Sequence, residues 1–171
     1  GCLGYGSRDY STISSAISAA SEGDIIYVCD GNYDEGRVLI NSIDNISIIG
    51  ESRDGVIVNT GAVGDGVYIV DRDYITIENM TVTNCSNEGW ESKLHSWGGT
   101  HGTFRNLKLQ GTSAQNCRFG LSLTHEAHNN TIENILITDV HGNLWAAGLR
   151  IHDSDSNNIS NVEVYNVTSI S

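Results

Sequence analysis

Apolar and polar positions alternate along the chain in short segments, and four of these segments share one pattern. An apolar, a polar, an Asn, an apolar, a polar and an apolar residue follow one another in 77–82, 104–109, 132–137 and 159–164. The Asn residues of the four segments, Asn79, Asn106, Asn134 and Asn161, are separated by 27, 28 and 27 residues. A fixed period of this size indicates a repeat architecture, in which each copy is one unit of a stack.

A second set of apolar segments precedes the first by about twelve residues. It comprises 38–40, 67–69, 94–96, 121–123 and 149–151. Segments this short with a period of two predict β-strands rather than helices. Such strands bury an apolar face only when successive coils stack at the strand spacing of about 4.8 Å. We therefore predict an all-β fold, a parallel β-helix of about 28 residues per coil that forms one domain over residues 1–171.

The two ends of the chain differ from the repeat and from each other. Residues 10–20 predict an N-terminal helix that covers the first coil, with Ser11 placed to cap it. The apolar face of this helix comprises Ile13, Ala16, Ile17 and Ala20. The repeat pattern is still running at residues 162–164. We therefore expect the C-terminal end to be uncapped, so that either the chain is a fragment of a longer β-helix or another chain continues the stack.

Charge and hydropathy argue against nucleic acid as a partner and against a membrane-spanning helix. The chain has 171 residues and a formal net charge of −12. This charge argues against nucleic acid, because phosphate binding needs clustered Lys and Arg. The longest apolar runs are four or five residues, such as 25–28, which excludes a transmembrane helix.

Cysteine and asparagine usage bears on the compartment. The four Cys residues form no C-x-x-C pair, which argues against a structural zinc site. The bridges Cys2–Cys29 and Cys85–Cys117 fit an oxidising location, and four free thiols are the alternative. N-glycosylation sequons fit a secreted or cell-surface protein, although Asn followed by Ser or Thr in a strand also arises from turn chemistry alone. The sequons begin at Asn45, Asn79, Asn84, Asn129, Asn158 and Asn166.

The opening of the chain carries a family resemblance. Residues 10–28 read YSTISSAISAASEGDIIYV, and GNYDE at 31–35 and ISIIG at 46–50 follow. These segments resemble the entrance of pectin-lyase-like right-handed parallel β-helices. The resemblance implies a right-handed coil and the binding and cleavage of carbohydrate, as in polysaccharide lyases, glycosidases and archaeal disaggregatases. The chain lacks the paired Asp of polygalacturonases and a full calcium triad, so the resemblance leaves the chemistry open.

Chemically active residues concentrate on one side of the predicted stack. Outward positions of the second set of strands hold Tyr68, His95, Trp97, Arg150 and His152. The turns after these strands add His125, Glu126 and Asp153. The loops before them add Trp90, Lys93, Arg118, His141 and Trp145. Because parallel coils superpose equivalent positions, we expect these side chains to meet on one face.

Two chemistries fit the predicted catalytic group, which is Arg150, His152, His125, Glu126, Asp153 and His95. Arg150 is the best candidate to contact a uronate carboxylate or to take the proton α to it, a role that the resemblance implies. His125 and His152 then act as acid and base, about 5 Å apart on adjacent coils. Glu126 and Asp153 on neighbouring coils suit a retaining glycosidase instead, or a site for Ca²⁺.

The remaining residues predict saccharide contacts. The flat rings of Trp90, Trp97 and Trp145 are suited to stacking on sugar rings. The other candidates for substrate binding are Tyr68, Lys93, Arg118 and His141. We therefore expect a secreted or cell-surface enzyme that cleaves a polysaccharide containing uronic acid, by β-elimination or hydrolysis. The alternative is a carbohydrate-binding or structural β-solenoid of the cell surface without catalysis.

Overall fold

The protein is a parallel β-solenoid of about five turns with about 27 residues per turn. The computed structural model describes residues 10–61, 64–85, 91–111, 117–143 and 146–170. One helix lies near the N-terminus, and among the described residues no helix is long and apolar enough to cross a membrane. The predicted fold class is confirmed. That all 171 residues form one domain stays a prediction.

The elements follow the repeat, with one strand or more in each face of each coil. In chain order they are α1 (Ile13–Ala19), β1 (Ile25–Val28), β2 (Gly31–Asp34), β3 (Val38–Ile40), β4 (Ser47–Gly50), β5 (Val56–Asn59), β6 (Val67–Val70), β7 (Thr76–Thr83), β8 (Ser92–Trp97), β9 (Thr103–Gln110), β10 (Phe119–Thr124), β11 (Thr131–Asn143), β12 (Ala147–His152) and β13 (Asn158–Ile170).

Two parallel sheets enclose the core. An eight-stranded sheet runs in the order β1-β4-β7-β9-β11-β13, with β2 and β5 beside it, and a five-stranded sheet runs β12-β10-β8-β6-β3. The register superposes the predicted columns, since Ile77 pairs with Phe104 and Leu121 pairs with both Leu94 and Leu149. Inward Ile, Val and Leu side chains from both sheets form one hydrophobic cluster. Burial of these columns is the main stabilising contribution to a fold whose strands are too short to be stable alone.

The recurring Asn residues form a hydrogen-bonded ladder, here called the first ladder. Asn79, Asn106, Asn134 and Asn161 all have left-handed backbone, with φ between 49° and 56°. Asn is one of the few residues that adopt this conformation readily. Each later amide Nδ2 donates to the Oδ1 of the coil before it, at 2.7, 2.8 and 3.0 Å. The predicted structural role of these residues is therefore seen directly, at the bend that divides β7, β9, β11 and β13.

The N-terminal helix forms as predicted but begins later than expected. Thr12, not Ser11, is the N-cap, because its backbone is extended and its side chain accepts from the Ser15 N–H. Helix α1 covers Ile13–Ala19, and its buried side chains pack on the first coil. The Glu35 carboxylate reaches the start of the helix from the end of β2, where Oε1 accepts from the Ile13 N–H at 2.6 Å. A negative charge at a helix N-terminus is stabilising, so this contact fixes the helix to the solenoid.

Disulfide bonds replace the free-thiol alternative for the described cysteines. Cys85 and Cys117 are bridged, with their Cα atoms 5.6 Å apart. Cys29 is also disulfide-bonded. Its predicted partner Cys2 lies outside the described residues.

The last coil has one neighbouring coil instead of two. Its apolar side chains are therefore partly open to solvent, and Ile151 and Val164 are each 42% and Tyr165 is 56% exposed. That another chain or a further part of the β-helix covers them stays a prediction.

Candidate functional site

The outer face of the five-stranded sheet brings most of the predicted site residues into two rows. In the first row, Tyr68 pairs with His95, His95 with Ser122, and Ser122 with Arg150. In the second row, Val70, Trp97, Thr124 and His152 follow one another in the same strands. Neighbouring positions in a row are separated by the strand spacing of about 4.8 Å. We call this surface the outer face.

A buried hydrogen-bond network lies in the middle of the outer face. His95 Nδ1 is 3.2 Å from Asp65 Oδ2, and His95 Nε2 is 2.8 Å from Thr124 Oγ1. Asp65 also accepts from the Ser92 N–H, and the Ser92 hydroxyl bonds to that of Ser122. His95 is only 4% exposed, and Ser122 and Thr124 are fully buried. A ring with both nitrogens bonded to buried partners is held in place, and a polysaccharide has little access to it.

Sequence reasoning missed Asp65 and Thr124 as members of this network. Thr124 lies in an outward position of the second strand set, beside Trp97, so its place was readable from the repeat. Asp65 precedes β6 outside any repeated column, and no sequence signal marks it.

Aromatic rings extend from the network across three successive coils. The Tyr68 and His95 rings are 5.2 Å apart between centroids, and those of His95 and Trp97 are 6.0 Å apart. Trp97 stacks on His125, with centroids 3.4 Å apart and planes within 9°. Burial raises the pKa of Tyr68, and the charge of Asp65 acts in the same direction. The Trp97–His125 pair presents the kind of flat ring surface that stacks on a sugar.

Arg150 and His152 lie two residues apart on the same side of β12, at the accessible end of the outer face. The Arg150 guanidinium lies over the Phe119 ring, with Cζ 5.1 Å from the centroid. Burial lowers the pKa of Arg150, against the raising effects of Asp153 and Asp65, yet an Arg in a protein stays protonated. His152 Nδ1 is 3.1 Å from Asp153 Oδ2, in a pair whose side chains are 56% and 69% exposed. This contact leaves His152 Nε2 directed away from its carboxylate partner.

The structure changes one of the expected pairings, that of His125 with His152. Thr124, not His125, is opposite His152, and His125 comes one residue later, at a left-handed turn with φ 56°. Glu126 follows at a second left-handed position, and its N–H donates to the Asp153 carbonyl at 2.7 Å. The extra turn residue separates the two His side chains by one position along the chain. The roles of Glu126 and Asp153 as a carboxylate pair stay predictions.

Two of the residues expected in loops before the strands, Lys93 and His141, have other positions. Lys93 lies inside β8, and its side chain is fully buried, so it offers no surface to a saccharide. His141 lies in β11 of the eight-stranded sheet, where Nδ1 is 2.5 Å from Thr168 Oγ1. Arg118 directly precedes β10, where the sequence placed it, and it is half-buried. Trp90 and Trp145 lie outside the described residues.

The carboxylates of the outer face do not fit a calcium site. Within the described ranges, no three His, Cys, Asp or Glu side chains lie close enough together to hold a metal ion. Asp153 is paired with His152, and Asp65 with His95. Calcium needs six or more oxygen ligands, which these paired groups do not supply.

Comparison with known proteins supports the fold. Two solved structures of pectin methylesterase resemble the chain, one of them a mutant, and each holds a bound hexasaccharide. Their TM-scores are 0.53 for the mutant and 0.60 for the other, at 16% and 17% sequence identity. Each comparison covers 95% of this chain and 56% of the pectin methylesterase chain, so this chain spans little more than half of their length. No curated protein sequence matches the chain.

A family model described as "Right handed beta helix region" matches residues 40–170, which include β4 to β13 completely. The structure has the features expected of such a fold, namely parallel strand registers, stacked apolar columns and the first ladder. The chain therefore belongs to the right-handed β-helix family.

Proposed function

We propose that this protein binds an acidic polysaccharide on the outer face and cleaves it by β-elimination beside a uronate carboxylate. The observation that carries the proposal is the group formed by Arg150, His152 and Asp153. These residues combine a fixed cation with an exposed His whose Nδ1 is held by a carboxylate. Those are two of the functions that β-elimination needs, a charge partner for the substrate carboxylate and a proton acceptor beside it.

In the proposed reaction, Arg150 pairs with the carboxylate and stabilises the negative charge that develops on it. His152 Nε2 takes the proton from the carbon α to that carboxylate. The electron pair of the broken C–H bond forms a double bond to the adjacent ring carbon, and the glycosidic C–O bond breaks. The leaving oxygen takes a proton from the imidazolium of His125 or from water. Asp153 stabilises the charge on His152 during this step.

Two observations support an acidic, pectin-like polysaccharide as the substrate class. The solved neighbours are pectin methylesterases with bound hexasaccharides, which places pectin-like polymers among the first substrates to test. The Trp97–His125 stack lies one strand from His152, where it can support an adjacent sugar ring. The Cys85–Cys117 bridge suits an extracellular protein. We therefore extend the proposal to a secreted or cell-surface location.

The test is digestion of polygalacturonate, methyl-esterified pectin and other acidic polysaccharides with the intact chain. Product formation is followed by the ultraviolet absorbance of unsaturated uronates and by reducing ends. We expect both signals to rise together. Arg150→Ala and His152→Ala should each lower the rate by about 100-fold or more, the usual contribution of a positioned acid–base or charge-stabilising group.

His128→Ala is the matched control. His128 also lies beside a carboxylate, with Nδ1 3.0 Å from Asp155 Oδ1 and accepting from the Asp155 N–H at 2.9 Å, but it lies in the turn after the outer face. The control should keep the full rate. Unchanged rates in Arg150→Ala and His152→Ala would contradict the assignment, and reducing ends without the absorbance rise would replace β-elimination by hydrolysis and direct attention to Glu126 and Asp153.

A second function is favoured by the buried network. His95 bonds to Asp65 and Thr124, and Ser122 bonds to Ser92, so the middle of the outer face is complete without a substrate. A rigid surface of this kind suits a carbohydrate-binding solenoid that performs no chemistry. That function predicts saccharide binding that Trp97→Ala weakens, with neither absorbance rise nor new reducing ends.

A further inference from the structure

A second ladder of Asx side chains runs along the bend that follows the first ladder in each coil. Asn59 Nδ2 donates to Asp34 Oδ1 at 2.9 Å, and Asn84 Nδ2 donates to Asn59 Oδ1 at 2.7 Å. Further along the stack, Asn166 Nδ2 donates to Asp139 Oδ1 at 2.6 Å. Every bond has the same direction, from a later Nδ2 to an earlier Oδ1. A rung with no acceptor in the coil before it only has to accept, and an Asp carboxylate can do this. A rung that bonds to the coil before it must donate, and this requires the amide of Asn.

The second ladder is interrupted at Gly111. The Asn84 N–H donates to the Gln110 carbonyl, and the Gly111 N–H donates to that of Thr138, which places Gly111 between Asn84 and Asp139. Glycine is required there, because a Cβ at this position would overlap the Asp139 carbonyl oxygen. Gly111 has no side chain, so it has no side-chain amide that could donate to the coil before it. Asn84 Oδ1 is consequently buried with no hydrogen-bond partner among the described residues.

Lys93 reaches this interruption from the five-stranded sheet. By register it lies between Gly66 and Gly120 of the neighbouring strands. Lys93 Nζ lies 3.3 Å from the point where a Cβ of residue 111 would be. The side chain is fully buried, and Nζ has no hydrogen-bond partner in the described part of the chain. One unpaired donor and one unpaired acceptor thus flank the same missing rung.

We propose that the space beside Gly111 is a binding site for one water molecule, held between Lys93 Nζ and Asn84 Oδ1. A water molecule accepts from the ammonium and donates to the amide oxygen, so it satisfies both groups at once. An anion does not fit, because it would face the lone pairs of Asn84 Oδ1. Lys93 thereby supplies, through the water, the hydrogen bond that the missing amide of residue 111 cannot make.

The site also makes the stability of the solenoid depend on pH. Burial lowers the pKa of Lys93 to about 8, while the charge of Asp139 on β11 acts in the opposite direction. The unfolded chain, with a normal lysine pKa, binds more protons than the folded chain in the range from about pH 8 to about pH 10. The free energy of unfolding therefore increases as pH rises through this range. It decreases as pH falls and the buried Lys93 amine becomes protonated.

Crystallography at atomic resolution tests the proposed water directly. We expect one ordered water within hydrogen-bond distance of Lys93 Nζ and Asn84 Oδ1. Lys93→Met should lose this water, and Lys108→Met, which changes a half-buried lysine of β9, should keep it. A direct bond between Nζ and Oδ1, a bound ion, or a space without density would each overturn the proposal.

Denaturant unfolding at pH 7 and pH 10 gives a second test that does not depend on crystals. The unfolding equilibrium constant of the unsubstituted protein should fall by about tenfold or more, relative to that of Lys93→Met, as pH rises between these values. Lys108→Met should keep the pH dependence of the unsubstituted protein. An equal pH dependence in Lys93→Met would show that the ammonium is not held in the buried site, and that outcome would overturn the proposal.

Discussion

The outer surfaces of the two sheets follow the same alternation but meet solvent differently. On the eight-stranded sheet, outward residues such as Glu78, Arg105 and Glu133 are half-buried or exposed, and they interact as surface charges. On the five-stranded sheet, Ser122 and Thr124 occupy equivalent outward positions and are fully buried in a hydrogen-bond network. Alternation therefore determines which way a side chain points, while contacts from other parts of the coil determine what it meets.

The largest stability effect that separates the two surfaces should come from His95→Ala. The substitution removes a hydrogen-bond partner from the Asp65 carboxylate and from the Thr124 hydroxyl, and water has little access to either group. We expect it to lower the free energy of unfolding by about 2–4 kcal/mol. Denaturant unfolding measures the loss. The matched control is His101→Asn, which removes an exposed turn histidine stacked on Tyr74, keeps a residue that tolerates the left-handed φ of 56°, and should cost much less. Similar losses in both variants would show that the network contributes no special stability.

The first ladder should give an intermediate effect. Asn134→Ala removes the middle rung, which both donates to Asn106 and accepts from Asn161, and it places Ala at a left-handed φ of 54°. We expect a loss of about 2 kcal/mol in the free energy of unfolding. Asn161→Ala places Ala at a similar left-handed φ of 49° but removes a rung with one neighbour in the described part of the ladder, so it should cost less than Asn134→Ala. Equal losses at the two positions would contradict cooperation along the ladder.

The smallest effect should come from the charged surface of the eight-stranded sheet. Arg105→Ala breaks the ion pair between Arg105 Nη2 and Glu78 Oε1, which are 2.6 Å apart. Because the Arg105 side chain is half exposed, we expect a loss below about 1 kcal/mol that decreases further in high salt. Thermal unfolding at low and high salt checks this. A loss as large as that of His95→Ala would remove the distinction between the two surfaces.

Much of the fold was predictable because its signals repeat. The spacing of Asn79, Asn106 and Asn134 determines the length of the coil, and the two strand sets determine both sheets. The N-cap could not be located as well, because Ser11 and Thr12 are both good capping residues and the backbone decides between them.

The candidate site was less predictable because its important contacts occur only once. Asp65 belongs to no column, yet it holds His95. Lys93 was expected at the surface, but its side chain is fully buried and its Nζ lies beside Gly111, which no repeated column marks. The sequence pattern predicts the rows that carry Arg150 and His152. It does not predict that His95, Ser122 and Thr124 in the same rows are buried.

Mapping the binding of an oligogalacturonide by NMR tests the central claim most directly, namely that the outer face rather than the eight-stranded sheet contacts the polysaccharide. The account predicts that the largest amide and side-chain shift changes occur at Trp97, His125, Arg150 and His152, with little change at Arg105 or Lys108. Shift changes concentrated on Arg105 and Lys108, or an absence of binding to every acidic oligosaccharide tested, would contradict it.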